Sequence, residues 1–569
     1  MKNYIGNPLP QGCTVNGNRV NFSVSVPAES VCELILYRKG STEPEECFVL
    51  EPDDCAGSLR HLALELEQPR DYEYNYRIDG EVTPDPRGKA FSGRGVWNAK
   101  RDVQGHAVRT RIEETPFDWE GDTLLHLAAS EVVAYCLHVR GFTKHASSGA
   151  EHRGTFLGIL DKLPYLEELG ISQIHCMPVY EFEEHGKKMN YWGYGDAWFF
   201  APKAAYAFSD DAALELKQVV KTLHKKGIEL ILEMPFTGDT PHMEILECLR
   251  YYVLEYHVDG FLVNPAILEP SLLKKDALLC GTKILKKQDD FQITMRRFLK
   301  GDEGMVPGVI WWLKYHSEEE GIFNYIASPN GFTLCDTVSY DGKHNEENGE
   351  KNQDGPDFNY SWNCGAEGPT RKKGVLALRK KQMRNAFFLL LLAQGMPCIL
   401  GGDEFANSQK GNNNVYCQDS PVSWLSWNRL PKEQELHDLV RDLITFRKAH
   451  KLLHPDKVME GTDYMGCGIP DVSYHGEDAW QTPSGVASRQ LGVFYNSQGS
   501  QEEDCYIAYN MHWMPHTFAL PSLAKGRVWY EAASTEEGVL ATPRKLDETR
   551  KVEVEERSIR VFIGKQEEA

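Results

Sequence analysis

Between residues 128 and 455 the chain alternates short apolar runs with amphipathic helical stretches. EVVAYCLHV reads as a strand, TFLGILDKLPYLEELG as a helix stopped by Gly170, and ISQIHCMPV as the next strand. Ser209 and Asp210 can cap the following helix, DAALELKQVVKTLHKKG, whose Leu216, Val219, Val220 and Leu223 share one face. IELILEM, MEILECLRYYVLEYH and DGFLV repeat strand, helix and strand. Parallel strands cannot be joined by hairpins, so each crossover needs a covering element. A chain that keeps this rhythm is confined to a (β/α)8 barrel or an open doubly wound sheet.

The rhythm changes at both ends. Residues 1 to about 110 hold short alternating strands such as RVNFSVSV, CELILYRKG and YEYNYRIDG, the pattern of a β-sandwich. From about 456 onward LGVFYN, CYIAYNMHW, TFALP and RSIRVFIG predict a second one. A length of 569 residues suits two or three cores rather than one.

A formal net charge of −21 argues against nucleic acid and anionic membranes, which require basic patches. A neutral partner is compatible with it. The longest apolar run, AFFLLLLAQGMPCIL, is broken by Gln394, Gly395 and Pro397, so no membrane span is expected. The opening MKNYIGNPLPQG has no apolar stretch, so no secretory signal is expected. The 14 cysteines show neither a CxxC nor a zinc spacing. Free thiols in a reducing cytoplasm are the expectation, with no disulfide framework, no metal site and no cofactor.

Four segments are more specific than any pattern: HVRGFTKHASSG (138–149), NYWGYGDAWFFAPKAAYA (190–207), NGFTLCDTVSYDGKHNEENGE (330–350) and GGDEFANSQKGNNNVYCQDSPVSWLSW (401–427). With them the chain resembles the α-amylase superfamily, and within it the bacterial glycogen-debranching enzymes of the isoamylase type. The resemblance implies an α/β protein with three parts. A glycogen-binding-type β-sandwich would span 1–110, a (β/α)8 TIM barrel 128–455 and a C-terminal β-sandwich 456–569. It also implies cleavage of α-1,6 branch linkages by the retaining route, with one carboxylate as nucleophile and another as acid.

The positions that would carry this chemistry depart from the family pattern. The family's third-strand segment has the form Asp-Val-Val-Tyr-Asn-His; here Glu233, Thr237 and Gly238 take its Asp, Asn and His places. The fourth strand, GFLVN, puts Leu262 at the Arg position and Asn264 at the nucleophile. Lys287 aligns with the acid, and Pro329 and Asn330 replace the His-Asp pair ahead of GFTL. An amide cannot form a glycosyl ester, and an ammonium is a poor general acid at neutral pH. The family's long loops after the third and fifth strands are also shortened here.

The resemblance therefore implies a non-catalytic member. Its expected partners are an α-glucan such as glycogen and, by analogy with silent partners in the wider group, an active debranching paralogue. Tyr191, Trp192 and Tyr194 of NYWGY, and Trp97 of GRGVWN, are the candidate glucan contacts, because aromatic rings suit the apolar faces of glucose. Asp403 and Glu404 of GGDEF, and the amides of GNNN, are read as loop-holding groups. The alternative is an active α-glucosidic hydrolase with relocated carboxylates, for which Glu233, Asp289 and Asp290 are the candidates.

Overall fold

The computed structural model describes residues 1–567 apart from 100–107, 115, 265, 269, 318–320, 501 and 549. At the N-terminus a four-stranded sheet faces a six-stranded one. Alternate residues of their strands, among them Val20, Phe22, Leu34, Leu36, Leu64 and Tyr74, meet in a shared core. The C-terminal part builds a six-stranded antiparallel sheet from strands between Val472 and Gln566, with the short pair His516–Ala519 and Lys551–Val554 beside it.

The middle of the chain closes into a parallel barrel. Its strands are β1 (Ala134–Leu137), β2 (Gln173–Cys176), β3 (Glu229–Glu233), β4 (Gly260–Leu262), β5 (Lys283–Lys287), β6 (Ile322–Asn324) and β7 (Met396–Leu400). β7 pairs back onto β1 with Cys398 opposite Ala134, which seals the ring. The barrel class stands, but among the described residues the ring has these seven strands rather than eight. Only Gln288 separates Lys287 from α5 (Asp289–Lys300), where the family pattern carries a long excursion.

The helices show where local sequence rules compete. TFLGILDKLPYLEELG forms two helices, α1 (Phe156–Asp161) and α2 (Leu163–Leu169), because Pro164 starts a new first turn. Gly170 ends α2 in the left-handed conformation, with φ 89°. α3 (Ala212–His224) is capped by Asp211, which accepts from Leu214 N at 2.9 Å, rather than by Ser209 or Asp210. Glu215 decides this by accepting from the backbone of Phe208 and Ser209 at 2.9 and 2.6 Å, which holds those residues ahead of the helix. α4 (His242–Tyr256) then crosses from β3 to β4.

Between β2 and α3 a hairpin, Tyr180–Phe182 with Ala197–Pro202, rises above the barrel and carries the NYWGY segment at its tip. Buried charges anchor it to the N-terminal part. Arg94 is fully buried and reaches Glu181 at 2.7 Å and Glu183 at 2.9 Å. Lys203 lies 2.7 Å from Glu181 and 2.6 Å from Glu184. Removing Arg94 takes one of two cations from fully buried Glu181 and leaves its own space to be filled, so Arg94→Ala should cost about 3 kcal/mol. Urea unfolding checks this. A loss below about 1 kcal/mol, the scale of an exposed pair, would contradict it.

Candidate functional site

In a closed parallel barrel every second strand residue points inward, and the strand ends open at one mouth. The inward series on β3 is Glu229, Ile231 and Glu233, and on β5 it is Lys283, Leu285 and Lys287. Ile231 and Leu285 join Phe323, Met396 and Cys398 in the cluster that fills the lumen. Glu233 and Lys287 therefore reach the mouth from strands on either side of β4, with Lys287 Nζ 3.9 Å from Glu233 Oε1. Tyr194, from the hairpin, donates its hydroxyl to the same oxygen at 2.8 Å.

The electrostatics follow from this contact. Burial is the largest single influence on Lys287 and works against its charge, but Glu233, Cys136, Cys398 and Asp289 together outweigh it and hold the ammonium above its ordinary pKa. The Cys136 thiol is pushed up to about 12 by burial, with Glu233 adding to the effect, so it is neutral near pH 7. Burial and Glu233 together keep the Tyr194 hydroxyl protonated. A general acid works best with its pKa near the working pH, and Lys287 is moved away from it.

The other aligned positions have structural occupations. Leu262 packs against the lumen cluster. Asn264 is exposed, and its Oδ1 accepts from Ala266 N at 3.0 Å to hold the turn after β4. Gly238 is exposed in the turn before α4, with nothing near its Cβ position. Asn330 is exposed, while Pro329 is buried beside Tyr191 and Trp192. Pro329, Tyr191 and Trp192 line, with Met177, Val415 and Leu425, a small space of about 50 Å³.

The aromatic candidates are largely packed in. Tyr191 is 1% exposed and stacks on His138 at 4.2 Å, and Trp192 is 4% exposed. Trp97 is partly buried, lying parallel to Tyr206 at 5.7 Å with the Arg140 guanidinium 4.8 Å from its centre. Tyr194 is partly buried and committed to Glu233.

The remaining acids hold loops. Asp403 accepts from Leu334 N at 2.9 Å, and burial raises its pKa. Glu404 accepts from Tyr135 and Tyr165 at 2.8 and 2.5 Å. In the GNNN stretch Asn413 bonds Asn345 and Asn359 at 2.8 and 3.0 Å. Asp289 accepts from the Tyr325 hydroxyl, and both Asp289 and Asp290 are exposed in the first turn of α5, where the helix dipole favours negative charge. Glu183, Glu184 and His185 bring ligand atoms within 4.8 Å of one another. The chain's own cations, Arg94 and Lys203, already bond the two acids.

Sequence reasoning took Glu233 and Lys287 one at a time and missed them as a pair joined by Tyr194. The available signal was their opposite charge at equivalent strand ends.

A family profile described as alpha amylase, catalytic domain, matches residues 138–239. Isoamylase 1 of Arabidopsis thaliana, a chloroplastic protein, is 32% identical over 91% of this chain and 83% of its own length. Isoamylase 3 of Oryza sativa subsp. japonica, also chloroplastic, is 30% identical over 90% of this chain and 80% of its own. A glycogen operon protein GlgX homolog of Mycobacterium tuberculosis is 28% identical over 94% of both. Among solved structures, the catalytic module of the pneumococcal glycogen-degrading virulence factor SpuA matches with TM-score 0.77 at 16% identity, covering 97% of each chain. A pullulanase from Bacillus acidopullulyticus matches with TM-score 0.75 at 18% identity, covering 97% of this chain and 75% of the other. At such identity the structural likeness speaks for the fold.

The mouth pair makes a titration prediction. Glu233→Gln removes the strongest of the groups that raise Lys287 and leaves burial, the larger influence, to lower it. The Lys287 pKa should therefore fall below the ordinary lysine value of about 10.4. NMR titration of ¹³C-dimethylated lysines reads this directly, and an unchanged Lys287 would contradict the pairing.

Proposed function

Because the chain belongs to the isoamylase-type debranching family of the α-amylase superfamily, we propose that it is a non-catalytic α-glucan-binding member of that family. The observation that carries this reading is the ammonium of Lys287 facing Glu233 at 3.9 Å. Retaining hydrolysis needs two carboxyl groups about 5–5.5 Å apart, one to form the glycosyl ester and one to protonate the leaving oxygen. Here the group across from the carboxylate is a cation, and the nucleophile position holds the turn-capping Asn264.

Relatives named as isoamylases and as a glycogen operon protein support an α-glucan as the ligand. A solved pullulanase of the same fold is described in complex with maltohexaose and α-cyclodextrin. Of the aromatic candidates, Tyr194 is the one placed to touch a chain at the mouth. Trp97, Tyr191 and Trp192 act by packing beneath it. Glycogen is polyvalent, so modest affinity at one site becomes useful avidity on a particle. We place the protein in the cytoplasm, where its free thiols remain reduced. No helix among the described residues is long and apolar enough to cross a membrane. A folded barrel that binds substrate without cutting it suits a role beside an active debranching enzyme, whose glucan affinity it would tune by about 1–3 kcal/mol.

Purified protein should release no reducing sugar from glycogen, amylopectin or pullulan above background. Asn264→Asp alone should not restore activity, since Leu262, Lys287 and Pro329 remain. Loss of the nucleophile alone costs about 10⁴- to 10⁶-fold, about 5–8 kcal/mol. Turnover abolished by Glu233→Gln or by Asp289→Asn would instead establish a hydrolase with relocated carboxylates.

Binding and partnership have separate readouts. The full chain should be retarded in native gels containing glycogen, and free migration at high glycogen would remove the glucan reading. Mixing with an active debranching enzyme of the same cell should change that enzyme's affinity for glucan, and unchanged kinetics would remove the partner.

A further inference from the structure

Two cavities of about 530 Å³ lie away from the mouth. One runs beside β5 and is lined by apolar groups such as Leu273, Leu285 and Met396. It offers little to a hydroxylated ligand. The other is different in kind. It is a groove at the seam between the N-terminal sandwich and the barrel, bounded by the strand Gly12–Asn16, by Glu113, Glu114, Phe117 and Trp119, and by the helix α4.

Aromatic rings form its walls. Phe117 and Trp119 meet edge to face at 4.8 Å, and Trp119 is backed by His257 at 3.8 Å, nearly parallel. That backing fixes the ring, which remains partly exposed along the groove. Tyr251 lines the groove from α4, with Lys89 Nζ 5.6 Å from its ring centre. All three rings are partly buried, so each keeps some accessible surface.

The polar groups balance. Lys217 is paired with Glu255 within the groove, and Glu113 is paired with Arg111. Lys89 and Glu114 are exposed and of opposite sign. A groove with flat rings, hydrogen-bonding groups of both kinds and no excess charge fits a neutral polyhydroxylated chain. It suits neither a phosphorylated ligand, which needs a cationic cluster, nor an acyl chain, which needs an apolar slot. Its volume falls within the usual range for ligand clefts, about 300–1,000 Å³, and its position between two folded bodies is a common one for such sites.

We propose that this seam groove is the principal α-glucan site of the protein, taking a short stretch of a single α-1,4-linked chain across Trp119 and Tyr251. The proposal rests on the glucan-binding reading above and gives it a location remote from the mouth. With the mouth filled by its own ion pair, the groove lets the protein hold glucan without any catalytic cleft.

Calorimetric titration of the full chain with maltoheptaose tests it. Tyr251→Ala should weaken binding at least about tenfold, while Tyr251→Phe keeps the ring and stays near the parent value. The double variant Lys89→Ala/Glu114→Ala changes exposed side chains, so it decides the matter even where Tyr251→Ala fails to fold. It should weaken binding by several-fold. Maltoheptaose should also shift tryptophan emission in the parent, and this shift should shrink in Trp119→Phe. Parent-like affinity in the folded groove variants would overturn the groove and leave glucan binding standing elsewhere. No binding of maltoheptaose by the parent chain would overturn the glucan reading and the groove with it.

Discussion

A charge without water must be met by the chain itself, and Glu229 on the barrel floor is met four times. It is fully buried. Lys283 approaches its two oxygens at 2.7 and 2.6 Å, Gln173 donates at 2.6 Å, and the backbone of Leu127 donates at 2.8 Å. Unpaired burial of a carboxylate is prohibitive. These bonds therefore fix β2, β3, β5 and the segment entering β1 relative to one another. The chain of contacts continues upward. Gln173 Oε1 accepts from His175 Nε2 at 2.6 Å, and the other nitrogen of His175 lies 3.6 Å from Cys398 Sγ on β7. Burial lowers the His175 pKa to about 3, so the ring stays neutral inside the lumen.

The same strands repeat the arrangement at the other end of the barrel. Moving four residues along β3 leads from Glu229 to Glu233, and four along β5 from Lys283 to Lys287. Both steps keep the side chain inward. Ile231 and Leu285 lie between the two pairs and exclude water from the middle of the lumen. The mouth thus carries a second copy of a floor interaction. Glu233, the acid that a rescue of catalysis would need first, is engaged by Lys287 and Tyr194. In the proposed reading the seam between sandwich and barrel, with its rings and balanced charge, takes most of the glucan contact.

Much of this was legible in the chain. Strand–helix alternation confined the middle to a parallel α/β architecture, and motif order narrowed that to a barrel. Local sequence places Asn264 and Lys287 near strand ends, and they lie just after β4 and at the end of β5. The seven-strand ring among the described residues was harder to read, because strand number follows from closure and not from any local pattern. The cap of α3 turned on Glu215, a side chain four residues into the helix, and not on cap preference alone. The burial of Tyr191 depends on Pro329 and His138, which are distant in sequence, and no local pattern reports it. The groove at Trp119 and Tyr251 is likewise a product of how two bodies meet.

The central claim is that the mouth holds no carboxylate able to form a glycosyl ester. A 5-fluoro-α-maltosyl fluoride, which traps retaining α-glucosidic enzymes as a stable ester on their nucleophile, tests it by intact-mass spectrometry. Prolonged incubation should leave the protein mass unchanged. A single glycosyl adduct, located by peptide mapping on Glu233, Asp289 or another carboxylate of the barrel mouth, would contradict the account.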